Sequence, residues 1–335
     1  MRSVLAVCAL VALPAAASAQ KPEKKPMNPS HEEIALDKQS VVAAPLTHAN
    51  LAVFPVLTTA TGVKHVDYLV LDEGMKKKVV TVVEKGEGGD VNQLELRNSS
   101  DRPLFLMAGE VVIGGKQDRI IGKNTIVAPR TSEAVPVFCV EHGRWSGRKA
   151  EFSSAQALAH TELRKKASFS NQGEVWKEVS AKNAKRKLSS DTDTYRGVTQ
   201  DGSVKKSIDG YDKAIRTQLA AFASKDRMVG FVVAMDGKVV AIETFGSPGL
   251  FHKFQDKLLR SYYVEAVDHE FDAARPPSAP AAAAITGFAE KARTAKRGVV
   301  LDKKSGKTMQ FDEGDLKGSE VETTDGSSVY RGAYE

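Results

Sequence analysis

The sequence predicts an α+β protein: an N-terminal antiparallel β sandwich or partial barrel, then a helix–β-hairpin–helix unit, then a C-terminal strand pair. Three observations predict it. Between Val41 and Trp145, short runs rich in branched and aromatic residues recur with turn residues between them. Beyond Trp145 the period changes, and apolar residues return at steps of three and four. Within that helical region two strand-like runs, MVGFVVAM and KVVAIETF, are joined by Asp236-Gly237, the pair a type I′ hairpin turn prefers.

Taken in order, residues 1–19 open on Arg2, continue in an apolar run from Val4 to Ala16 and close on Ala17-Ser18-Ala19. This small-x-small ending reads as a signal peptide, with cleavage expected after Ala19 and delivery to the periplasm or beyond the cell. The run is shorter than the ~20 apolar residues of a transmembrane helix. Residues 20–40 are polar, with lysines and prolines, and read as a disordered leader. Residues 41–150 form the β-rich domain. Its runs are LAVFPVLTTA (51–60), VDYLVLD (66–72), KVVTVVEK (78–85), VNQLELRN (91–98), PLFLMAGEVVIGG, RIIGKNTIVAP and AVPVFCVEH. Glu87-Gly88-Gly89-Asp90 and Asn98-Ser99-Ser100-Asp101 supply turns. Strands at this spacing fit a sandwich or an incomplete barrel.

Residues 151–272 read as a helical region with a β-hairpin at 228–245. Helices are expected over 153–166 and 172–188, split at Ser170-Asn171, with a polar linker at 189–207. Ile208, Tyr211, Ile215, Leu219 and Phe222 then mark one buried helical stripe. Both faces of the hairpin strands are apolar, so the hairpin is expected to be covered on both sides. Ser247-Pro248 places an N-cap and a first-turn proline before a second stripe, Phe251, Phe254, Leu258, Tyr262 and Ala266. Residues 273–284 are a Pro/Ala linker, and 285–335 a short helix followed by strands ending in VYRGAYE.

The chain has 335 residues and two cysteines, Cys8 and Cys139. Loss of residues 1–19 would leave Cys139 alone, so stability would rest on an apolar core rather than on disulfides. The net charge of +6 is local: residues 161–225 carry 14 basic against 8 acidic side chains. A solvated helical face is the ordinary reading, and peripheral contact with an anionic surface the sharper one. Phe169, Trp176, Tyr195, Tyr211 and Phe222 do not alternate with the basic residues as a base-stacking platform would, so nucleic acid is not an expected partner.

Candidate functional residues concentrate in 105–145. Gly114-Gly115 reads as a bend needing positive φ, where a ligand can approach the backbone. It is no P-loop, because Gly115 stands before Lys116 and Gln117 takes the hydroxyl position. Strand alternation puts Gln117 and Arg119 on one face and Asp118 on the other. An arginine fork beside an amide suits a phosphate or carboxylate. Equally, Arg119 pairs with Glu110 or Asp118 to fix the turn. Alternation separates Cys139 from His142, so Cys139 reads as a buried apolar side chain; a nucleophilic role would need His160 or His252 as base. Glu141 needs a partner, with Arg119, Arg130 and Arg144 the candidates. Trp145 reads as a stacking platform or a core plug. No metal site and no cofactor are expected: HExxH, CxxC, calcium-loop, Gly-x-Ser-x-Gly and dinucleotide-binding patterns are missing.

AGEVVIGGKQDR, PVFCVEHGRW and the unit around VGFVVAMDGKVVAIETFGSPGLFHKF resemble the ADP-ribosylglycohydrolase- and rhodanese-phosphatase-superfamily-associated proteins. The resemblance runs from about Leu46 to the C-terminus. It implies association with nucleotide- and ADP-ribose-related genes and defines no reaction. Three functions are therefore expected in competition. The first is an exported module binding a small anionic ligand, a nucleotide or ADP-ribose derivative, through Gly114, Gly115, Gln117, Arg119, Arg144 and Trp145, with Glu141 beside them. The second is a hydrolase of glycosidic or phosphate bonds using Glu110, Asp118 and Glu141 as acid and base. The third is an envelope-associated protein that makes its contacts through 161–225.

Overall fold

A computed structural model describes residues 33–61, 65–86, 91–143, 151–188, 191–269, 271–274, 276 and 278–335. The expected signal peptide, most of the expected leader, the expected turn at 87–90, Arg144 and Trp145 lie outside the described residues. Along the chain come β1 (Ile34–Ala35), β2 (Ser40–Val42), β3 (Leu46–His48), β4 (Leu51–Thr58), α1 (Leu71–Lys76), β5 (Val80–Glu84) and β6 (Gln93–Asn98). They are followed by β7 (Leu104–Leu106), β8 (Glu110–Gly114), β9 (Arg119–Ile121), β10 (Thr125–Val127), β11 (Thr131–Cys139) and β12 (Phe152–Leu158). The helical region holds α2 (Thr161–Phe169), α3 (Gln172–Lys185), α4 (Arg196–Gln200) and α5 (Gly202–Ala221). After β13 (Met228–Met235) and β14 (Lys238–Phe245) come α6 (Pro248–Ala266) and α7 (Ala282–Thr294). The chain closes with β15 (Gly298–Lys303), β16 (Gly306–Glu313), β17 (Leu316–Glu322) and β18 (Ser328–Tyr334).

The fold is α+β with antiparallel sheets. One sheet runs β1-β2-β4-β13-β14-β18-β17-β16-β15, with β3 also on β4. A second runs β12-β8-β9-β11-β6-β5, and the bridge between Val83 and Glu151 draws its outer strands together into a half-barrel. β7 and β10 form a separate pair. Val82, Leu94, Val112, Ile121 and Val137 fill the half-barrel. α5 and α6 cover one face of the large sheet through Ile215, Leu219, Phe251 and Phe254. α7 lies against the other face through Ile285 and Phe288.

Local chemistry explains the elements that position this core. Asp236 and Gly237 have φ of 50° and 77°, the left-handed pair a type I′ turn requires. Every residue of β13 is buried, with Phe231 and Val233 on the α6 side and Val232 and Ala234 on the α7 side. Ser247 caps α6 by accepting from the Leu250 N–H at 3.2 Å, and Pro248 follows it. Asp201 caps α5 by accepting from the Ser203 and Val204 N–H groups, each at 2.9 Å.

Several expectations are corrected. In 66–72 only Leu69 makes a strand contact, a bridge to Leu104; Leu71 opens α1 instead, with Asp72 and Glu73 favourably placed in its first turn. The expected 153–166 helix is β12 over its first half, because this segment pairs with β8, and the helix starts at Thr161. The leader's end is ordered: β1 pairs with β2 while Ile34 and Leu36 pack on the core beside α7. The linker at 189–207 contains α4 and the start of α5. Residues 41–150 do not fold as one unit, since β2–β4 join the large sheet while β5, β6, β8, β9 and β11 build the half-barrel. The C-terminal pair is a four-strand meander, β15 to β18, continuous with the hairpin through β14 and β18.

Candidate functional site

β9 lies between β8 and β11, with Arg119 opposite both Val112 and Cys139. The residues after the double-glycine bend are thereby zipped to the strand that carries the thiol. Gly114 and Gly115 have φ of 131° and 50°. A Cβ on Gly115 would lie 2.2 Å from the Phe152 ring and 2.6 Å from Glu84 Oε1, so the bend requires glycine for conformation and for space. Asp118 Oδ1 accepts from the Gly114 N–H at 3.1 Å, and the Asp118 N–H donates to the Glu141 carboxylate at 3.3 Å. Gln117 Nε2 donates to the His142 carbonyl at 3.3 Å. Arg119 Nη1 donates to the Gln117 carbonyl at 3.0 Å and to its Oε1 at 3.4 Å. Arg196 Nε stands 4.0 Å from Asp118 Oδ2.

The structure therefore brings Gln117, Asp118, Arg119 and Glu141 together, but each is at most 6 % exposed. The carboxylate beside Arg119 Nη2, at 3.9 Å, is Glu84 rather than Glu110 or Asp118; Glu84 also accepts the Lys116 N–H at 2.8 Å. Sequence reasoning missed Glu84, although a signal existed: Val80, Val82 and Glu84 alternate onto the inward face of β5. Among the described residues these groups are buried against one another around the bend.

Glu110 stands elsewhere. Its Oε2 accepts the Met107 N–H at 2.9 Å, and its Oε1 lies 2.7 Å from Lys257 Nζ, which also reaches Asp72 at 2.7 Å. Burial alone would lower the Lys257 pKa, yet Glu110 and Asp72 overcome it and raise the group above the ordinary lysine value. Ser154 Oγ completes the group by donating to Asp72. The three candidate acid–base carboxylates are thus divided between two separately bonded networks.

Cys139 has no histidine beside it among its described hydrogen bonds. Gln172 brackets its backbone with two bonds of 2.8 Å, and burial pushes the thiol up to about 11, away from thiolate character. His252 bonds the Lys225 carbonyl at 2.9 Å. His160 is wholly buried, with Nε2 2.9 Å from Glu178 and Nδ1 3.0 Å from the Tyr195 hydroxyl. Burial, reinforced by Lys182, lowers its pKa to about 3, so the folded protein holds it neutral. An unfolded chain binds a proton there near pH 6.5, so folding stability contributed by neutral His160 is present above 6.5 and is lost as pH falls towards 3. A slope of about 1.4 kcal/mol per pH unit is expected in that window. Urea unfolding at pH 7 and pH 5 tests it, and an unchanged slope in His160→Gln would refute the assignment.

The basic stretch 161–225 is partly turned inward. Arg164 forms a buried two-bond fork with Glu243, each bond 2.8 Å, and Lys182 lies 2.5 Å from Asp268. Among the described residues no helix is long and apolar enough to cross a membrane, and no group of three or more His, Cys, Asp or Glu is placed to hold a metal.

An open cleft lies on the α7 side of the large sheet, with a volume of ≈ 560 Å³. Its floor includes Ile242, Met309, Phe311 and Ala333, and Ala289 and Ala292 of α7 form one wall. Arg293, Arg297, Lys307 and Arg331 reach it, against Asp37, Glu320 and Glu322. Arg331 engages Glu320 through Nε and is 52 % exposed. Arg297 pairs with Glu320 at 3.0 Å and lies over the Phe311 ring at 5.2 Å. None of these residues belonged to the sequence-predicted site. From the sequence only a short helix and strands were expected over 285–335, and nothing there linked those strands to α7.

The family model of the ARG and Rhodanese-Phosphatase-superfamily-associated Protein domain matches residues 39–334. No curated protein and no solved structure matches the chain. The match spans the large sheet, the half-barrel and the helices between them, so the chain belongs to the ARG and Rhodanese-Phosphatase-superfamily-associated Protein domain family.

Proposed function

We propose that this protein is an exported module that binds a small anionic ligand, and that the ligand enters the cleft beside α7. One observation carries the reading: a hollow of ligand size with an apolar floor and a half-exposed arginine, Arg331, at its edge. A guanidinium in that position offers a planar fork to phosphate or carboxylate while apolar contact supplies orientation. The bend at Gly114-Gly115 supports this module as a rigid structural corner, because Arg119 is sealed from solvent beside Glu84 and Gln117. The hydrolase reading lacks support, since Glu110 is committed to Lys257 away from Asp118 and Glu141.

The test is a thermal-shift screen of nucleotides, sugar phosphates and carboxylates on exported protein, whose first residue should be Gln20 by N-terminal sequencing. A ligand at 100 times its dissociation constant adds ~2.7 kcal/mol to folding stability. Arg331→Ala is expected to remove the shift with little change in the unliganded melting temperature. Absence of any shift, or an undiminished shift in Arg331→Ala, would sink the proposal; a first residue of Met1 would remove export from it.

A further inference from the structure

We infer that the ligand of this cleft is a small amphiphile with one compact anionic head and a flat or aliphatic apolar body. The inference rests on the cleft being the anion site. Strand register sorts the floor into rows. Ile242 lies opposite Ala333, Ala333 opposite Gly318, and Gly318 opposite Phe311, which makes one row without charge. The next row holds Thr244, Arg331, Glu320 and Met309. Rows two residues apart on one face are separated by about 7 Å. A molecule lying along the strands therefore meets hydrocarbon at one end and Arg331 at the other.

The cations divide in the same sense. Arg297 spends its donors on the carbonyls of Ala292, Arg293 and Ala295 and on Glu320, so it contributes a fixed planar face over Phe311 rather than an anion fork. Arg293 is paired with Glu290 at 2.6 Å, and Lys307 with Glu322 at 3.2 Å. Arg331 alone among the three arginines combines single-nitrogen engagement with half exposure, which suits one head group rather than a polyphosphate chain. α7 lines the cleft with Ala289 and Ala292, which leave room, and with Arg293, which donates to Glu290.

Isothermal calorimetry on the exported protein tests this with 1-naphthyl phosphate, inorganic phosphate, ribose 5-phosphate and 1-naphthol. 1-Naphthyl phosphate is expected to bind about tenfold or more tightly than either of the other phosphates. Ile242→Thr, in the uncharged row, is expected to narrow that gap, and Arg331→Met to abolish the advantage of 1-naphthyl phosphate over 1-naphthol. Equal binding of all three phosphates would overturn the amphiphile while leaving the anion-binding module standing. So would a gap unaltered by Ile242→Thr. Binding of 1-naphthol as tight as that of its phosphate, or no binding by any of the four, would overturn both.

Discussion

Glu243→Ala is expected to lower the free energy of unfolding by about 3–5 kcal/mol, the cost of leaving half of a buried ion pair behind. Glu243 sits in β14 with no solvent exposure. It accepts both bonds of the Arg164 fork at 2.8 Å, a bond from the Tyr330 hydroxyl at 2.6 Å and one from Tyr262. Tyr334 accepts from Arg164 at 2.9 Å. The cluster ties α2 and α6 to β14 and β18, so its loss loosens elements distant in sequence. Burial opposes ionisation of Glu243, but Arg164 and the phenols hold its pKa below the ordinary carboxylate value. Its contribution is therefore present above about pH 4.5 and lost as pH falls through the lower folded value. Urea unfolding at pH 7 should show the full loss in Glu243→Ala and a smaller loss in Glu243→Gln, which keeps the shape and some hydrogen bonds. A loss under about 1 kcal/mol would mean that water enters and replaces the carboxylate.

Lys257→Met carries a comparable expected loss of about 3–5 kcal/mol, because Glu110, whose pKa burial already raises, would lose its buried cation and have to take up a proton or stay charged without a partner. Lys257 and Glu110 are both nearly sealed from solvent, whereas the Asp72 side chain is 24 % exposed and can turn outward. The raised Lys257 pKa means that its stabilisation is complete below about pH 10.4 and disappears as pH rises through the higher folded value. The decisive comparison is the double variant Lys257→Met/Glu110→Leu. Replacing both charges with hydrocarbon should recover most of the loss, since buried pairs are often no more stabilising than an apolar pair of similar volume. If the double variant is as unstable as Lys257→Met, the cost lies in altered packing against Phe254, over which the lysine lies at 4.6 Å.

Some of the candidate site was legible in advance. Positive φ at Gly114 and Gly115 followed from the glycine pair itself, and the proximity of Arg119 to Cys139 followed from two strands close enough in sequence to pair. The partner of Arg119 was not legible, because Glu84 comes from a strand reached only when the sheet curls. Glu110 looked like a neighbour of Asp118 along the chain, but its partners Lys257 and Asp72 arrive from α6 and α1. Residues 153–158 were mistaken for helix because their period is weak; pairing with β8 decides their conformation.

What the chain alone determined is local: the Asp236-Gly237 turn, the Ser247-Pro248 helix start, the stripes of α5 and α6, and the two-sided burial of β13. Each depends on backbone sterics or apolar spacing over a few residues. Tertiary structure alone decided which strands share a sheet, which buried charges meet and where a hollow opens. β4, β14 and β18 lie far apart in sequence yet join one sheet, and the cleft exists only where α7 leaves part of its outer face uncovered. The physical reason is that hydrophobic burial and charge pairing reward proximity without regard to sequence distance, so they are settled by the whole chain at once.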